Sequence, residues 1–168
     1  MVARALHVEE RGATRKPMRR SPVFVRRSVM PILPRKSVLA IAAVTDIALN
    51  SRSRPVAAKD LAARHRLPPR HLEPVLQALV REGILKGVRG PHGGYELARE
   101  QRRITAEEIL RAARTVDDGV EEPVTGSALL SQVVAPALMH AEKAFANALS
   151  RISVEDLARA ATSLSKAG

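Results

Sequence analysis

Hydrophobic positions along the chain change their spacing in a definite order. Between Arg35 and about Asn50, Val38, Leu39, Ile41, Ala42, Thr45, Ala48 and Leu49 recur at steps of three and four behind Pro34, a suitable first-turn residue, and this predicts a helix. The polar run Ser51-Arg52-Ser53-Arg54-Pro55 ends it, because proline cannot sit inside a continuing helix. A second helix is expected from about Ala58 to His65, with Leu61 and Ala62 inward. Leu67-Pro68-Pro69-Arg70 stops that helix and starts a third, since proline is favoured at a first helical position. The third helix runs to about Glu82. Leu72, Val75, Leu76, Leu79 and Val80 share one face of it, which leaves Arg70, His71, Glu73 and Gln77 outward. Pro74 withdraws the amide that would bond the carbonyl of Arg70 and should bend or loosen the first turn.

After Gly83, a helix C-cap, the spacing turns extended. Ile84–Arg89 is β-branched in part, Gly93–Ala98 alternates, and Gly90-Pro91-His92-Gly93-Gly94 between them is turn chemistry, so a β-hairpin is predicted. Two helices joined by a tight turn, then a hairpin, make a winged helix-turn-helix, a mainly α fold with a small β-hairpin wing. Thr105 and Glu108 have capping-box spacing, which predicts a helix from Ala106 to about Arg114. A broad apolar stripe from Leu129 to Ile152 then marks one helix of roughly 25 residues, or ~38 Å, with Pro136 as a kink. Ser153 and Asp156 signal a fresh N-cap and a short terminal helix through Leu164. So wide a stripe needs covering. Leu130, Val134, Leu138, Ala141, Phe145 and Leu149 are therefore assigned to a homodimer contact.

Charge changes the picture next. The chain has 168 residues and a formal net charge of +11. Residues 1–29 carry eight basic and two acidic side chains, residues 30–104 fourteen and six, and residues 105–168 six and nine. A positive excess confined to the first two segments points to a polyanion there, with double-stranded DNA as the partner. The expected organisation is a disordered basic extension over 1–29, or a true start at Met30, a DNA-binding winged helix over 30–104, and a helical dimerisation region over 105–168.

Arg89, at a strand end beside glycines, suits a narrow minor groove. The recognition set is Arg35, Lys36, Lys59, Pro69, Arg70, His71, Glu73, Gln77, Lys86, Arg89 and His92. Tyr95 is either wing core or a phosphate donor. The glycine-rich turn lacks the GxxxxGK[ST] spacing, so a nucleotide-binding loop is rejected. No pair among His65, His71, His92 and His140 has the four-residue spacing of a zinc helix, and the acids of the basic part are scattered, so neither a metal site nor a nuclease is expected. The chain holds no cysteine, which excludes disulfides, thiol nucleophiles and cysteine-held clusters. Apolar runs fall short of a bilayer span, and the cytoplasm is the expected location. No catalytic residue and no cofactor is assigned, and the sequence identifies no small-molecule effector. The competing reading is a winged helix that contacts proteins alone, without specific DNA binding.

The segments Asp46-Ile47-Ala48-Leu49-Asn50, Leu72-Glu73, Val88-Arg89-Gly90-Pro91-His92-Gly93-Gly94-Tyr95-Glu96-Leu97-Ala98-Arg99 and Ile104-Thr105-Ala106-Glu107-Glu108-Ile109 resemble the IscR-like, Rrf-type bacterial transcription regulators. The resemblance covers residues 33 to about 114 well and the remainder in outline. It implies a dimeric regulator, a repressor before an activator, with Glu73 as the recognition-helix glutamate and Arg89 as the minor-groove arginine. Arg70 and His71 carry over by position. Many members hold an iron-sulfur cluster through three cysteines, whereas the corresponding stretch here, Thr115 to Val124, has none.

Overall fold

The computed structural model describes residues 33–51, 54–116 and 127–167. The basic extension with its alternative start at Met30, the middle of the Ser51–Pro55 loop, and the acidic loop from Asp117 lie outside the described residues. The elements are α1 (Arg35–Asn50), α2 (Ala58–Arg64), α3 (Pro69–Arg81), β1 (Leu85–Val88), β2 (Gly94–Leu97), a 3-10 turn (Gln101–Arg103), α4 (Ala106–Arg114), a π-helical turn (Leu130–Val134), α5 (Ala135–Leu149) and α6 (Val154–Ala167). The first four helices and both strands end within about a residue of their sequence-predicted limits.

The core is built on α1. Its central residues Ala40, Ala43, Val44 and Ile47 are fully buried among Leu61, Leu72, Val75, Leu76, Leu79, Ile84 and Leu85. This is not the face that the apolar spacing picked out: Val38 is 41% exposed, and Leu39 and Ala42 are half-buried. Helix α1 is apolar around most of its circumference, so periodicity sees the helix but not its inner side, which the small residues Ala40 and Ala43 take by letting α4 pack close. Ile109, Ala112 and Ala113 of α4, together with Val154 at the start of α6, join the same core. Packing is thus continuous across residue 105. A smaller cluster of Leu33, Ala106, Leu110 and Leu149 sits beside it, with Ile41 and Phe145 half-buried against it.

Two capping boxes set the later helices. Thr105 and Glu108 satisfy each other's end amides at the start of α4, and Ser153 and Asp156 do the same for α6. The two starts are tied together, because the Ala106 amide donates to the Ile152 carbonyl at 2.8 Å and the Val154 amide to the Ile104 carbonyl at 2.9 Å. Ile152 therefore lies outside the long helix, which stops at Leu149 and not at the expected Ile152. The irregularity near Pro136 takes the form of a π-helical turn over the preceding residues, with the Ala135 amide reaching back to the Leu130 carbonyl. Pro136 has no amide for the carbonyl of Gln132 and its ring crowds that oxygen, so the turn widens ahead of it. Helix α3 runs uninterrupted through Pro74, whose ring faces solvent.

The hairpin pairs Leu85 with Leu97, Lys86 with Glu96, Gly87 with Tyr95 and Val88 with Gly94 in antiparallel register. Its turn closes with the Gly93 amide donating to the Gly90 carbonyl at 2.9 Å, and Gly90 takes φ +115°, a backbone that favours glycine. A single residue from the loop before α2 extends the sheet: Val56 bridges Tyr95.

Candidate nucleic-acid interface

Helix α3 presents its charged face outward because its buried residues occupy one stripe, leaving Arg70, His71, Glu73, Pro74, Gln77 and Arg81 exposed. Its N-terminus lies beside that of α1. Arg35, Lys36, Arg70 and His71 line one cleft of about 470 Å³ floored by Leu39, Leu67 and Pro74. Four of the residues expected to meet DNA thus converge at the positive ends of two helices, an arrangement suited to a phosphate group. Pro69 opens α3 but does not line this cleft.

A second groove separates α3 from the wing. Gln77 and Arg81 line it from the helix, Gly87 and Tyr95 from the strands. Arg81 was not among the residues expected from sequence, although it stands four positions after Gln77 on the same helical face and that spacing could have found it. Burial first, and the Glu73 carboxylate second, push the Tyr95 phenol above its ordinary pKa. Tyr95 packs against the main core and so belongs to the wing's interior.

Of the remaining predicted residues, Lys86 is paired across the hairpin with Glu96 at 3.0 Å, so part of its charge is answered locally. Arg89 and His92 are exposed at the wing tip, and among the described residues Arg89 has no ion-pair or hydrogen-bond partner. Lys59 is exposed on α2 and lines neither groove. Away from these grooves, Asp46 of α1 takes a two-pronged contact from Arg64, at 2.9 Å from Nε and 2.6 Å from Nη2, and lies 3.1 Å from His65 Nε2. The His65 contact is close but poorly aligned, so Arg64 is the principal partner; it fixes α2 against α1, and with them the turn that leads into α3.

On the arm, Leu129 (65% exposed), Val133, Leu138 and Met139 face solvent in the single chain, as do Val134 and Ala141, while Leu130 is half-covered. Phe145 and Leu149 turn instead into the chain's own second cluster, where Leu149 is buried.

A helix-turn-helix closed by a two-stranded wing, followed by a helix with a bare apolar face, defines a winged helix-turn-helix protein. The chain belongs to the Rrf2 family, whose model, described as an iron-dependent transcriptional regulator, matches residues 33–160. It is 36% identical over 89 residues to the HTH-type transcriptional regulator IscR of Cronobacter sakazakii, a match that covers 53% of each chain. The chain thus spans about half the length of the curated relatives it matches. Among solved structures it resembles IscR of T. potens, with a TM-score of 0.60, 28% identity and coverage of 77% of this chain and 87% of that one. CymR of B. subtilis, the global cysteine regulator of that organism, gives a TM-score of 0.59 at 26% identity, over 77% of this chain and 98% of that one. These relatives are transcription regulators and not enzymes.

An iron-sulfur cluster, one basis for the iron dependence in the family description, does not fit the donors of this chain. A protein-held cluster needs soft thiolate ligands, and no cysteine occurs anywhere in the sequence. Among the described residues no three His, Asp or Glu side chains come together as an ion site. Among those residues, too, no helix is long and apolar enough to cross a membrane.

Proposed function

We propose that the chain is a sequence-specific DNA-binding transcription regulator that works as a homodimer without an iron-sulfur cluster. The observation that carries this reading is the convergence of Arg35, Lys36, Arg70 and His71 at the α1 and α3 N-termini, with Arg89 at the wing tip unpaired among the described residues. In this reading α3 enters the major groove. Its first-turn residues and the α1 N-terminus hold phosphates, Glu73, Gln77 and Arg81 meet base edges, and Arg89 lies in the adjacent minor groove. Two copies joined through the exposed stripe of the arm would present two such units to a two-fold site. Occupying a promoter in this way blocks other proteins from it, so repression is the simplest output.

Selection of fragments of the host genome by the purified full chain tests the reading. It predicts enrichment of a short motif with two-fold symmetry. Recovery of fragments without any shared motif would contradict it.

A further inference from the structure

Helices α4 and α5 line a cleft of about 320 Å³ that shares no lining residue with the grooves of α3. Its floor is apolar. Leu110 and Phe145 form it from the second cluster, and Met139, 69% exposed, forms one wall. Its rim is charged but largely self-matched: Glu107 stands 3.7 Å from Arg111 one turn along α4, and Glu142 of α5 is 2.7 Å from Arg114 of α4. Each carboxylate at the rim therefore has its own guanidinium. Lys143 is left over, since among the described residues it has no ion-pair or hydrogen-bond partner.

We propose that this cleft is a binding site for a small organic anion, a monocarboxylate carrying an apolar body. The volume is that of a small-ligand pocket, and the lining combines an apolar floor with one surplus positive charge, the pattern that fixes the orientation of an amphipathic ligand. An inorganic anion would leave the floor wet and would meet only one cation that is unpaired among the described residues. A neutral apolar molecule would forgo Lys143. A monocarboxylate satisfies both, with its body over Leu110 and Phe145 and its head at the Lys143 ammonium. The site joins a helix whose inner face lies in the winged-helix core to one whose outer face is bare, and it stands whether or not the chain binds DNA.

Isothermal titration of the full chain with octanoate and with 1-naphthoate tests the proposal, with octanol and inorganic phosphate as the comparison ligands. The expected result is saturable binding of at least one carboxylate, with octanol and phosphate at least about tenfold weaker. Lys143→Glu should weaken the carboxylate about tenfold or more, and the side chain is exposed enough for the variant to keep the wild-type circular dichroism. Absence of carboxylate binding at about 1 mM would overturn the proposal, and it is the result expected if a second copy fills the cleft. Equal affinity in Lys143→Glu, or equal affinity for phosphate, would overturn it too.

Discussion

The backbones of Val56 and Tyr95 exchange two hydrogen bonds, 3.0 Å from the Val56 amide to the Tyr95 carbonyl and 2.9 Å in return. This pair docks the wing on the loop that precedes α2, so the hairpin is oriented by the helix-turn-helix and not by its own two strands. An isolated two-stranded hairpin is marginal in water, and this third partner supplies what it lacks. Gly94, next to the bridge, makes the approach possible, because a Cβ there would stand 2.4 Å from the Val56 carbonyl oxygen.

Gly94→Ala should therefore destabilise the fold by about 1–3 kcal/mol, the usual cost of forcing an extra carbon into a filled site. Gly87→Ala is the matched control, since a Cβ there meets nothing within 4 Å. Urea denaturation of the two variants checks this, and equal midpoints would show that the wing does not depend on the close approach.

Arg89→Ala should weaken operator binding by about 1–3 kcal/mol and leave the melting temperature unchanged, because the side chain is exposed and unpaired among the described residues. Fluorescence anisotropy with a selected site reads the first effect and calorimetry the second. Unaltered affinity would remove Arg89 from the interface.

Leu138→Arg should convert the proposed dimer to a monomer that remains folded. Leu138 is 65% exposed in the single chain, so the charge meets water in the monomer and is buried without a partner only in the dimer. Sedimentation velocity at micromolar concentration measures the change. A wild-type protein that is already monomeric would contradict the assignment of the arm.

The α4 capping box gives a pH dependence with a definite sign. Burial works to raise the Glu108 pKa, but the Thr105 amide and the Arg99 guanidinium outweigh it and hold the carboxyl below its ordinary 4.5. A group depressed in the folded state contributes stability above its unfolded pKa and loses it as pH falls through the folded value. Stability should thus decline as pH drops below about 4.5, and Glu108→Gln should flatten that decline. Thr105→Ala should cost about 1 kcal/mol near neutral pH. Chemical denaturation across pH measures both, and an unchanged pH profile in Glu108→Gln would rule out its part.

Protein purified without oxygen should be colourless, since the sequence supplies no thiolate for a cluster. Visible absorption of the fresh protein checks this. A stoichiometric chromophore would show that other ligands hold iron.

Much of this arrangement is legible in the sequence where the determinants are local. Thr105-x-x-Glu108 and Ser153-x-x-Asp156 announce two helix starts, Pro69 announces a third, and the glycine-rich turn marks the wing, because each rests on bonds made within a few residues. What depends on distant packing is not legible. Val56 is one residue between two loops and carries no alternation, so its bridge to Tyr95 has no local sign. The apolar surround of α1 conceals which side faces the core. Leu149 reads as one more member of the arm's stripe, yet Leu33, Ala106 and Leu110, far from it in sequence, enclose it in the chain's own interior. The cleft residues Arg35, Lys36, Arg70 and His71 are each legible as polar positions near helix starts, but their convergence follows only from how α1 and α3 pack.

The salt dependence of affinity for a selected operator tests DNA recognition by this surface most directly. In the proposed dimer Arg35, Arg70 and Arg89 would bring six arginines to phosphates and grooves, and such contacts release counterions. Affinity should then fall log-linearly with salt, by roughly a thousandfold between about 50 and 200 mM. Affinity that is flat across that range would contradict a phosphate-gripping interface and favour a winged helix that meets only proteins.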